Sequence, residues 1–350
     1  MLYKLPRNSF YTKKLAEGCK ICEKGAKLVL LVTGLCKANC FYCPLSERKK
    51  GKDVIYADEM LVKKDDDIIK EAELIEAEGT GITGGDPLIV LDRVIKYIKM
   101  LKKHFGEEHH IHLYTATLNY KKIQKLEEAG LDEIRFHPPV AVWDKIERTN
   151  FRELIKKIEI DKGVEIPLIP HLKKETIHFL KEIDFYNLDF INLNELEFSI
   201  TNLEALDKFG YVAKSDESSA VKGSEEMAYQ LLDLKLDTPI HYCSAAFKDA
   251  IQLRRRIERR ARNVAKLYEV ITEDGTLLKG VIMADKEEIK KIKEEFEIDD
   301  KLIAWDEEKN RIETSPFILE EIAEYLPYKC YIIEEYPTAD RLEVEKIPLN

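Results

Sequence analysis

Runs of apolar residues alternate with segments of helical periodicity through the first 200 residues of the chain. The first run, from Lys27 to Gly34, is continuously apolar, which is typical of a strand whose two faces are both covered. Helices are predicted from about residue 65, near 91–103, near 120–129, near 150–160 and near 174–182. Strands are predicted at 27–34, 80–83, 110–117, 131–137, 164–171 and 190–198. About six β/α units in this order predict an α/β fold with a parallel, partial (β/α)6 barrel.

The pattern changes after residue 200. Residues 211–224 are rich in serine, glycine and charge, which predicts a mobile loop or lid. Beyond residue 267 the apolar positions alternate on both sides of Asp274 and Gly275, which is a hairpin signal. A helix, two strands, a second helix and a last strand then complete an α+β order that is similar to a ferredoxin-like module. The predicted domains are an N-terminal extension (1–26), the barrel (27–200), a post-barrel segment (201–266) and the C-terminal module (267–350).

Three cysteines stand close together in the segment CKANCFYC, at Cys36, Cys40 and Cys43. Thiolates are soft ligands that suit zinc and iron–sulfur clusters, and a [4Fe–4S] cluster needs one ligand for each iron. These three thiolates can bind three irons and leave the fourth to a small molecule or a distant residue. The alternatives are a zinc site with a distant fourth ligand and buried thiols that bind nothing. Zinc sites, however, usually present their cysteines in pairs.

The spacing of these cysteines, with the aromatic Tyr42 before the third, resembles that of the radical S-adenosylmethionine (radical SAM) enzymes. The resemblance implies that the methionine part of the cofactor binds the fourth iron and that Tyr42 lies against its adenine. Gly84 and Gly85 end the second predicted strand, where paired glycines let the backbone approach a ligand closely. Taken alone, these two glycines could also form an ordinary tight turn. It matches the family's GGE-type motif, which receives the cofactor's amino group, with Asp86 in place of the usual glutamate.

Polar residues also stand at the ends of the other predicted strands. The carboxyl ends of parallel strands meet on one side of a barrel, where the active sites of such barrels lie. For each of these residues alone, the alternative interpretation is an ordinary surface or loop residue without a role in the site. The resemblance implies that strands four to six contact the ribose, adenine and carboxylate of the cofactor. On that basis we assign Thr115, Arg135 and Asn194 to the cofactor, and His171 and Glu195 to the substrate.

A second group of ligand-type residues is spread over the sequence, with Cys19 and Cys22 in GCKIC and His241 and Cys243 in IHYC. Residues i and i+2 of an extended segment point to one face, so His241 and Cys243 can share a ligand. The four residues predict a Cys3His metal site that joins the N-terminal extension to the segment after the barrel. The metal is either a structural zinc ion or an auxiliary Fe–S cluster, and unliganded thiols are the remaining alternative. Cys330 stands alone.

The composition favours a cytoplasmic protein. The chain shows no charged-then-apolar leader and no apolar run of about 18 residues, which argues against export and membrane insertion. Its seven cysteines are grouped in metal-type motifs, which indicates a reducing compartment rather than disulfides. Charged residues make up 35% of the chain and there are three glutamines, a bias typical of proteins from hot environments.

Residues 246–266 predict a helix whose basic side chains lie mostly outside its apolar stripe. The first interpretation is a solvated, salt-bridged face, because the chain carries a net charge of −10 and offers many acidic neighbours. The alternative is a surface that binds RNA phosphates.

As a whole the chain resembles an archaeal family related to pyruvate formate-lyase activating enzymes. The resemblance implies that a reduced [4Fe–4S] cluster, supplied with an electron by a ferredoxin or flavodoxin, cleaves S-adenosylmethionine to a 5′-deoxyadenosyl radical. We expect this radical to modify a macromolecule, either a tRNA or a protein. The alternatives within this chemistry are the activation of a glycyl-radical enzyme and a small-metabolite substrate. Two alternatives involve no radical chemistry. One is an iron–sulfur electron carrier or sensor without catalysis, and the other is zinc-dependent RNA binding.

Overall fold

A computed structural model describes all 350 residues of the chain. The chain divides into two compact units, the first comprising Met1–Glu73 and Ala77–Leu253 and the second Leu74–Glu76 and Arg254–Asn350. The predicted post-barrel segment, 201–266, is thereby shared between the two units. None of the helices is both long and apolar enough to cross a membrane.

The first unit is built on one eleven-stranded sheet. Its strands are β1 (Leu2–Lys4), β2 (Phe10–Thr12), β3 (Lys27–Leu31), β4 (Tyr56–Ala57), β5 (Met60–Leu61), β6 (Gly79–Thr83), β7 (His110–Thr115), β8 (Glu133–Phe136), β9 (Asp161–Leu168), β10 (Phe190–Glu195) and β11 (Ile240–Cys243). Its helices are α1 (Glu17–Glu23), α2 (Asp65–Leu74), α3 (Leu91–Phe105), α4 (Tyr120–Glu127), α5 (Phe151–Ile155), α6 (Lys173–Ile183), α7 (Leu203–Asp207), α8 (Ser224–Leu231) and α9 (Ala245–Phe247), which a π-helix (Lys248–Leu253) follows.

Seven strands of this sheet, β3 and β6 to β11, are parallel, and the order across the whole sheet is β1-β2-β11-β10-β9-β8-β7-β6-β3-β4-β5. All six predicted strands are present, and the predicted α/β class with a parallel sheet is confirmed. Strand β11 adds a seventh parallel strand, with Asn192 opposite His241 and Asn194 opposite Cys243. The connection from β10 to β11 contains only the short helices α7 and α8, so the β/α repeat is difficult to recognise there in the sequence.

Side chains alternate between the two faces of the parallel strands. On β7, Ile111 and Leu113 are fully buried apolar residues, and the polar His112 and Tyr114 alternate with them on the opposite face. The neighbouring strands continue this polar face with Arg135, Glu165, Asn192 and His241. One face of the parallel sheet is therefore lined by polar side chains, and the opposite face carries buried apolar ones.

Helix α1 packs against β3, β6 and β7. The amide of Gly18 donates a hydrogen bond to the Glu133 carboxylate at the start of β8 (3.2 Å). A Cβ atom on Gly18 would lie 2.6 Å from both the Arg135 guanidinium and the His112 ring, so only glycine allows this close approach. Helix α1 of the N-terminal extension therefore packs near the amino ends of the parallel strands, whereas β1 and β2 form one edge of the sheet.

The second unit contains α10 (Arg254–Val264) and a six-stranded antiparallel sheet. Its strands are β12 (Val270–Ile271), β13 (Leu277–Ile282), β14 (Ile303–Asp306), β15 (Arg311–Thr314), β16 (Cys330–Glu335) and β17 (Glu343–Pro348), and its other helices are α11 (Glu288–Glu295) and α12 (Pro316–Ile322). The order β14-β15-β13-β16, with α11 and α12 between strands, is the βαββαβ arrangement that the sequence predicts. The predicted hairpin is formed by β12 and β13. Strand β17 was not predicted, because its charged and exposed residues show no buried face.

Residues 211–224 are irregular, as expected, but they form two isolated bridges, Glu197 with Ala220 and Ala213 with Val221. The Phe198 amide also donates a hydrogen bond to the Ser219 carbonyl (2.7 Å). Backbone hydrogen bonds therefore tie this segment to the residues that follow β10.

Candidate cofactor site and interior chamber

An outer cavity of about 410 Å³ lies at the carboxyl ends of the parallel strands. Its volume falls in the usual range for small-molecule sites, about 300–1,000 Å³. The predicted site residues that line the outer cavity are Cys36, Cys40, Tyr42, Cys43, Gly84, Gly85, Thr115 and Asn194. Residues from the cysteine loop and from the ends of three strands thus meet in one place.

The cysteine loop leaves β3 without regular secondary structure, and backbone hydrogen bonds at Gly34 close its base. The Gly34 amide donates to the Lys52 carbonyl (2.8 Å), and the Gly51 amide donates to the Gly34 carbonyl (2.9 Å). A Cβ atom on Gly34 would lie 1.6 Å from the Lys49 carbonyl oxygen, so this position requires glycine. Sequence reasoning missed Gly34, although a glycine between a strand and a cysteine motif is a signal for such a close approach.

The Gly84–Gly85 pair holds the end of β6 against the start of the cysteine loop. The Gly85 amide donates a hydrogen bond to the Thr33 carbonyl (2.8 Å). Added Cβ atoms would lie 2.4 Å from the Thr33 carbonyl oxygen at Gly84 and 2.2 Å from the Leu35 carbonyl oxygen at Gly85. Both glycines are therefore needed for the contact between two backbone segments, in addition to their position on the cavity wall.

Asp86 is buried behind the cavity wall rather than on it. Its carboxylate accepts hydrogen bonds from the Thr115 hydroxyl (2.7 Å), the Thr117 hydroxyl (2.5 Å) and the Leu88 amide (3.1 Å). Thr115 itself lines the cavity. Asp86 is thus placed to orient Thr115, and its direct contact with a cofactor stays a prediction.

Tyr42 and His137 form a hydrogen-bonded pair on the cavity wall. Burial lowers the pKa of His137, so its ring is neutral near pH 7. His137 Nδ1 lies 2.8 Å from the Glu165 carbonyl oxygen and must donate to it, which leaves Nε2 to accept from the Tyr42 hydroxyl (2.8 Å). Asn202 Nδ2 also donates to the Tyr42 carbonyl (3.1 Å). These contacts fix the aromatic ring that precedes the third cysteine of the loop.

Glu165 is a wall residue that sequence reasoning missed. Its carboxylate accepts hydrogen bonds from Asn192 Nδ2, Asn194 Nδ2 and Arg135 Nη1, each at 2.9 Å. Burial alone would raise the pKa of Glu165, but Arg135 and the two amides lower it to about 2. A single acidic residue within the apolar strand VEIPL was the signal for this buried, ionised group.

Like Asp86, the predicted site residues Arg135 and Glu195 lie outside the outer cavity and are held in the protein interior. Arg135 is 2% exposed and forms ion pairs with Glu133 (2.5 Å) and Glu165 (2.9 Å). Glu195 is also buried, and its carboxylate accepts a hydrogen bond from the Ala245 amide (2.8 Å). Their surroundings indicate positioning of neighbouring groups, so the predicted contacts of Arg135 with cofactor and of Glu195 with substrate gain no support from their placement.

His171 belongs to a group of exposed and half-buried rings that we call the rim cluster, consisting of Phe41, His171, Phe209 and Tyr211. The His171 ring stacks on Phe209 with centroids 4.5 Å apart, and its Nδ1 hydrogen-bonds the Tyr211 hydroxyl. Phe41, which belongs to the cysteine loop, packs against Phe209 with ring centroids 4.9 Å apart. The rim cluster thus lies beside the cysteine loop.

A second cavity, the interior chamber of about 230 Å³, lies on the same face of the sheet. Tyr114, Glu165 and Asn194 line both the chamber and the outer cavity. The chamber is also lined by all four residues of the predicted second metal site, Cys19, Cys22, His241 and Cys243. No group of three or more His, Cys, Asp or Glu side chains in the chain is already arranged to hold a metal ion, and this applies equally to the cysteine loop.

Comparison with known proteins assigns the family. Residues 30–183 match the profile of the radical SAM superfamily, and residues 275–349 match a domain of unknown function (DUF8061). Over 96% of its length the chain is 47% identical to a protein of Methanocaldococcus jannaschii, and the alignment covers 93% of that protein. The chain belongs to the radical SAM superfamily. The provisional name of the M. jannaschii relative is glycyl-radical enzyme activating enzyme.

Solved structures similar to this radical SAM protein include methylornithine synthase (PylB), with a TM-score of 0.40 and 14% identity over 63% of this chain and 69% of that one. Another is anSMEcpe with bound AdoMet, with a TM-score of 0.41 and 16% identity over 59% of this chain and 60% of that one. These likenesses are too distant to transfer roles to individual residues.

Membership confirms the predicted function as a radical SAM enzyme whose cofactors are a [4Fe–4S] cluster and S-adenosylmethionine. The outer cavity fits these two groups. Three thiols from one loop face a single cavity, as a cluster with one open iron needs. The cavity has room for a small molecule beside them, between the glycine pair and the ionised Glu165.

Proposed function

We propose that this radical SAM enzyme acts on a protein, in which it removes a hydrogen atom from a glycine and leaves a glycyl radical. The name of the M. jannaschii relative supports this substrate class. The likeness to that relative runs through both units of the chain, because the alignment covers 96% of it.

The observation that carries the proposal is an exposed apolar surface beside the cysteine loop. Phe209 is 51% exposed although it packs against Phe41 of the cysteine loop. In the segment that leads to it, Ile200 is 92% exposed and Leu203 is 50% exposed. Aromatic and aliphatic side chains that remain open to solvent favour contact with another protein, whereas small-molecule sites usually enclose most of their ligand.

The residues of the outer cavity have distinct roles in this proposal. The thiolates of Cys36, Cys40 and Cys43 bind the cluster, and the backbone at Gly84 and Gly85 receives the amino group of S-adenosylmethionine. When bound, and with one electron from a ferredoxin- or flavodoxin-type donor, the cofactors supply the radical that abstracts hydrogen from the substrate. The Cα–H bond of the substrate glycine would break, its hydrogen atom would end in 5′-deoxyadenosine, and methionine would be the other product.

The polar wall and the aromatic ring orient the nucleoside part of the cofactor in this proposal. Glu165, Asn194 and Tyr42 line the outer cavity, where the carboxylate and the amide would hold the ribose hydroxyls and the aromatic ring would hold the adenine. The Tyr42–His137 hydrogen bond holds that ring in place. Thr115, which Asp86 orients, completes the wall beside the glycine pair.

An RNA substrate depends on the basic helix α10, and its contacts favour a different explanation. Arg254 forms an ion pair with Glu258 (2.9 Å), and Arg259 forms one with Glu76 (3.2 Å). Arg260 is 8% exposed. These arginines are engaged within their own unit, which supports the salt-bridged interpretation and leaves few of them for phosphates.

Deuterium transfer tests the substrate class. Cells of the source organism grown on glycine deuterated at Cα provide protein, RNA and metabolite fractions. Each fraction is added to the anaerobically reconstituted, dithionite-reduced enzyme with S-adenosylmethionine. We expect 5′-deoxyadenosine to acquire deuterium from the protein fraction alone, together with the EPR signal of a glycyl radical. Deuterium transfer from RNA or metabolites, or none from protein, would contradict the proposal.

Three variants connect this result to the structure. Cys40→Ala should form no 5′-deoxyadenosine, because the cluster loses one of its three protein ligands. Phe209→Ala should lower deuterium transfer from protein about tenfold below saturation, the effect of losing about 1.4 kcal/mol of contact. Phe185→Ala is the matched control, since this residue after α6 is 77% exposed and outside the rim cluster. Equal rates for Phe209→Ala and Phe185→Ala would argue against the rim as the protein-binding surface.

A further inference from the structure

The interior chamber brings together ligand-type side chains that the radical SAM chemistry of the outer cavity does not use. Cys19 and Cys22 come from α1, and His241 and Cys243 come from β11, more than 200 residues later. Because β11 is a strand of the sheet itself, His241 and Cys243 lie on the same interior face. Two distant segments thus present three thiols and one imidazole to a single chamber.

Nitrogen donors surround the sulfur atoms of the chamber. Asn192 Nδ2 donates to Cys19 Sγ (3.3 Å), and Gln252 Nε2 donates to Cys243 Sγ (3.6 Å). The Lys27 ammonium group hydrogen-bonds the Cys22 thiol. Such N–H donors to sulfur are the outer contacts that orient cysteine ligands around a metal ion.

His241 is the observation that points to a ligand. The side chain is 4% exposed, and neither Nδ1 nor Nε2 has a hydrogen-bond partner. A buried imidazole without partners costs about 1–3 kcal/mol for each unsatisfied group, so such a residue needs an explanation. Metal coordination through one ring nitrogen would supply it.

The charges around the chamber suit a negatively charged metal–thiolate complex. Lys27, Arg135 and Lys248 line the chamber, together with the ionised Glu165. Arg135 is already paired with Glu133 and Glu165, and Lys248 with Glu197. Three thiolates and one divalent ion would add one net negative charge, which the Lys27 ammonium group beside Cys22 can offset. The same ammonium group would oppose a divalent ion without thiolates.

We propose that Cys19, Cys22, His241 and Cys243 bind a zinc ion in the interior chamber. A Cys3His set is typical of closed structural zinc sites. The ion would join the N-terminal extension to β11. It would thereby stabilise the region next to Tyr114, Glu165 and Asn194, which line both cavities. The side chains must turn toward each other on binding, as the thiols of the cysteine loop must around the cluster. The proposal is independent of the substrate proposed for the radical, because its test measures metal content.

The test uses the full chain without the cluster ligands. The triple variant Cys36→Ala, Cys40→Ala and Cys43→Ala is purified without chelators, and its metals are measured by mass spectrometry. We expect about one zinc per chain and no iron, since the four remaining ligands complete a tetrahedral site. Retained iron would overturn the assignment of zinc, and absence of both metals would overturn the site.

Ligand substitutions in this triple variant separate binding from folding. Adding His241→Ala should remove the zinc, whereas adding His241→Cys should keep it, because four thiolates also bind zinc tetrahedrally. Adding Cys330→Ala is the matched control, since this lone cysteine belongs to the second unit and the zinc should remain. When cobalt is added to the metal-free triple variant, the protein with His241→Cys should show thiolate-to-cobalt absorption. The protein with Cys243→Ala should not show it. Zinc that survives both His241→Ala and Cys243→Ala would overturn the proposed ligands.

Discussion

The outer cavity and the interior chamber lie on one face of one sheet, yet they present their three thiols in opposite ways. The outer thiols stand on a loop without regular structure, and Cys36 is exposed. The inner thiols stand on a helix and a strand, and Cys19 and Cys243 are buried. A loop at an open cavity suits a cluster whose fourth iron must meet a cofactor, whereas ligands on rigid, buried elements suit an ion that only holds the fold.

The two cavities also depend on different kinds of contact. The outer cavity depends on backbone approaches that glycine permits, at Gly34, Gly84 and Gly85. The chamber depends on side-chain donors from neighbouring strands, such as Asn192. Substitutions that affect one kind of contact should therefore separate the two sites.

The largest effect is expected for Gly85→Ala, which should damage the outer cavity alone. The added Cβ atom would lie 2.2 Å from the Leu35 carbonyl oxygen and would push the cysteine loop away from β6. A displacement of about 1 Å at a reacting centre can lower rates about 100-fold, so we expect at least that loss in 5′-deoxyadenosine formation. Zinc in the chamber should be unchanged, as measured by mass spectrometry on the same samples.

Gly106→Ala is the control for this prediction. Gly106 has a φ of +90°, and no atom lies within 4 Å of an added Cβ, so alanine there carries only the backbone cost of about 1 kcal/mol. Its activity should match that of the wild type. A Gly85→Ala protein as active as Gly106→Ala would refute the role of the glycine pair in placing the loop.

The contrast between the cavities also explains what the sequence could and could not predict. The cysteine loop and the glycine pair are local patterns, and their chemistry can be recognised in a few adjacent residues. The residue types of Cys19 and Cys243 suggest that they could meet in one metal site. The position of β11 in the sheet is harder to predict, because the long connection between β10 and β11 contains only short helices. Gly34 and Glu165 each carry a local signal, but their roles depend on partners in other segments, the Lys49 carbonyl for Gly34 and Arg135 and Asn192 for Glu165, which the sequence alone does not identify.

An intermediate effect is expected for Glu165→Gln, because Glu165 lines both cavities. The substitution leaves the buried Arg135 without one of its two carboxylate partners. The folded-state pKa of Glu165 is about 2, below its ordinary value of 4.5. The carboxylate therefore contributes its full stabilisation above about pH 4.5, and this contribution is lost as the pH falls toward about 2.

Urea unfolding at two pH values measures this contribution. At pH 7 we expect Glu165→Gln to unfold with about 3 kcal/mol less free energy than the wild type, and the gap should narrow at about pH 3. Glu153→Gln is the matched control, since the exposed Glu153–Lys156 ion pair should show no measurable change. A gap that stays constant between the two pH values would contradict an ionised Glu165 in the wall.

The smallest effect is expected for Tyr42→Phe, which removes one hydrogen bond from the outer cavity. Without the hydroxyl, the buried Nε2 of His137 loses its donor, which should cost about 1 kcal/mol in the free energy of unfolding. Tyr325→Phe, at a side chain that is 73% exposed, should cost nothing. Because Tyr42 lines only the outer cavity, zinc binding in the chamber should not change. Loss of zinc from Tyr42→Phe would instead show that the two sites are coupled through the residues that line both cavities. A hydroxyl group in the outer cavity would then determine metal binding in the chamber.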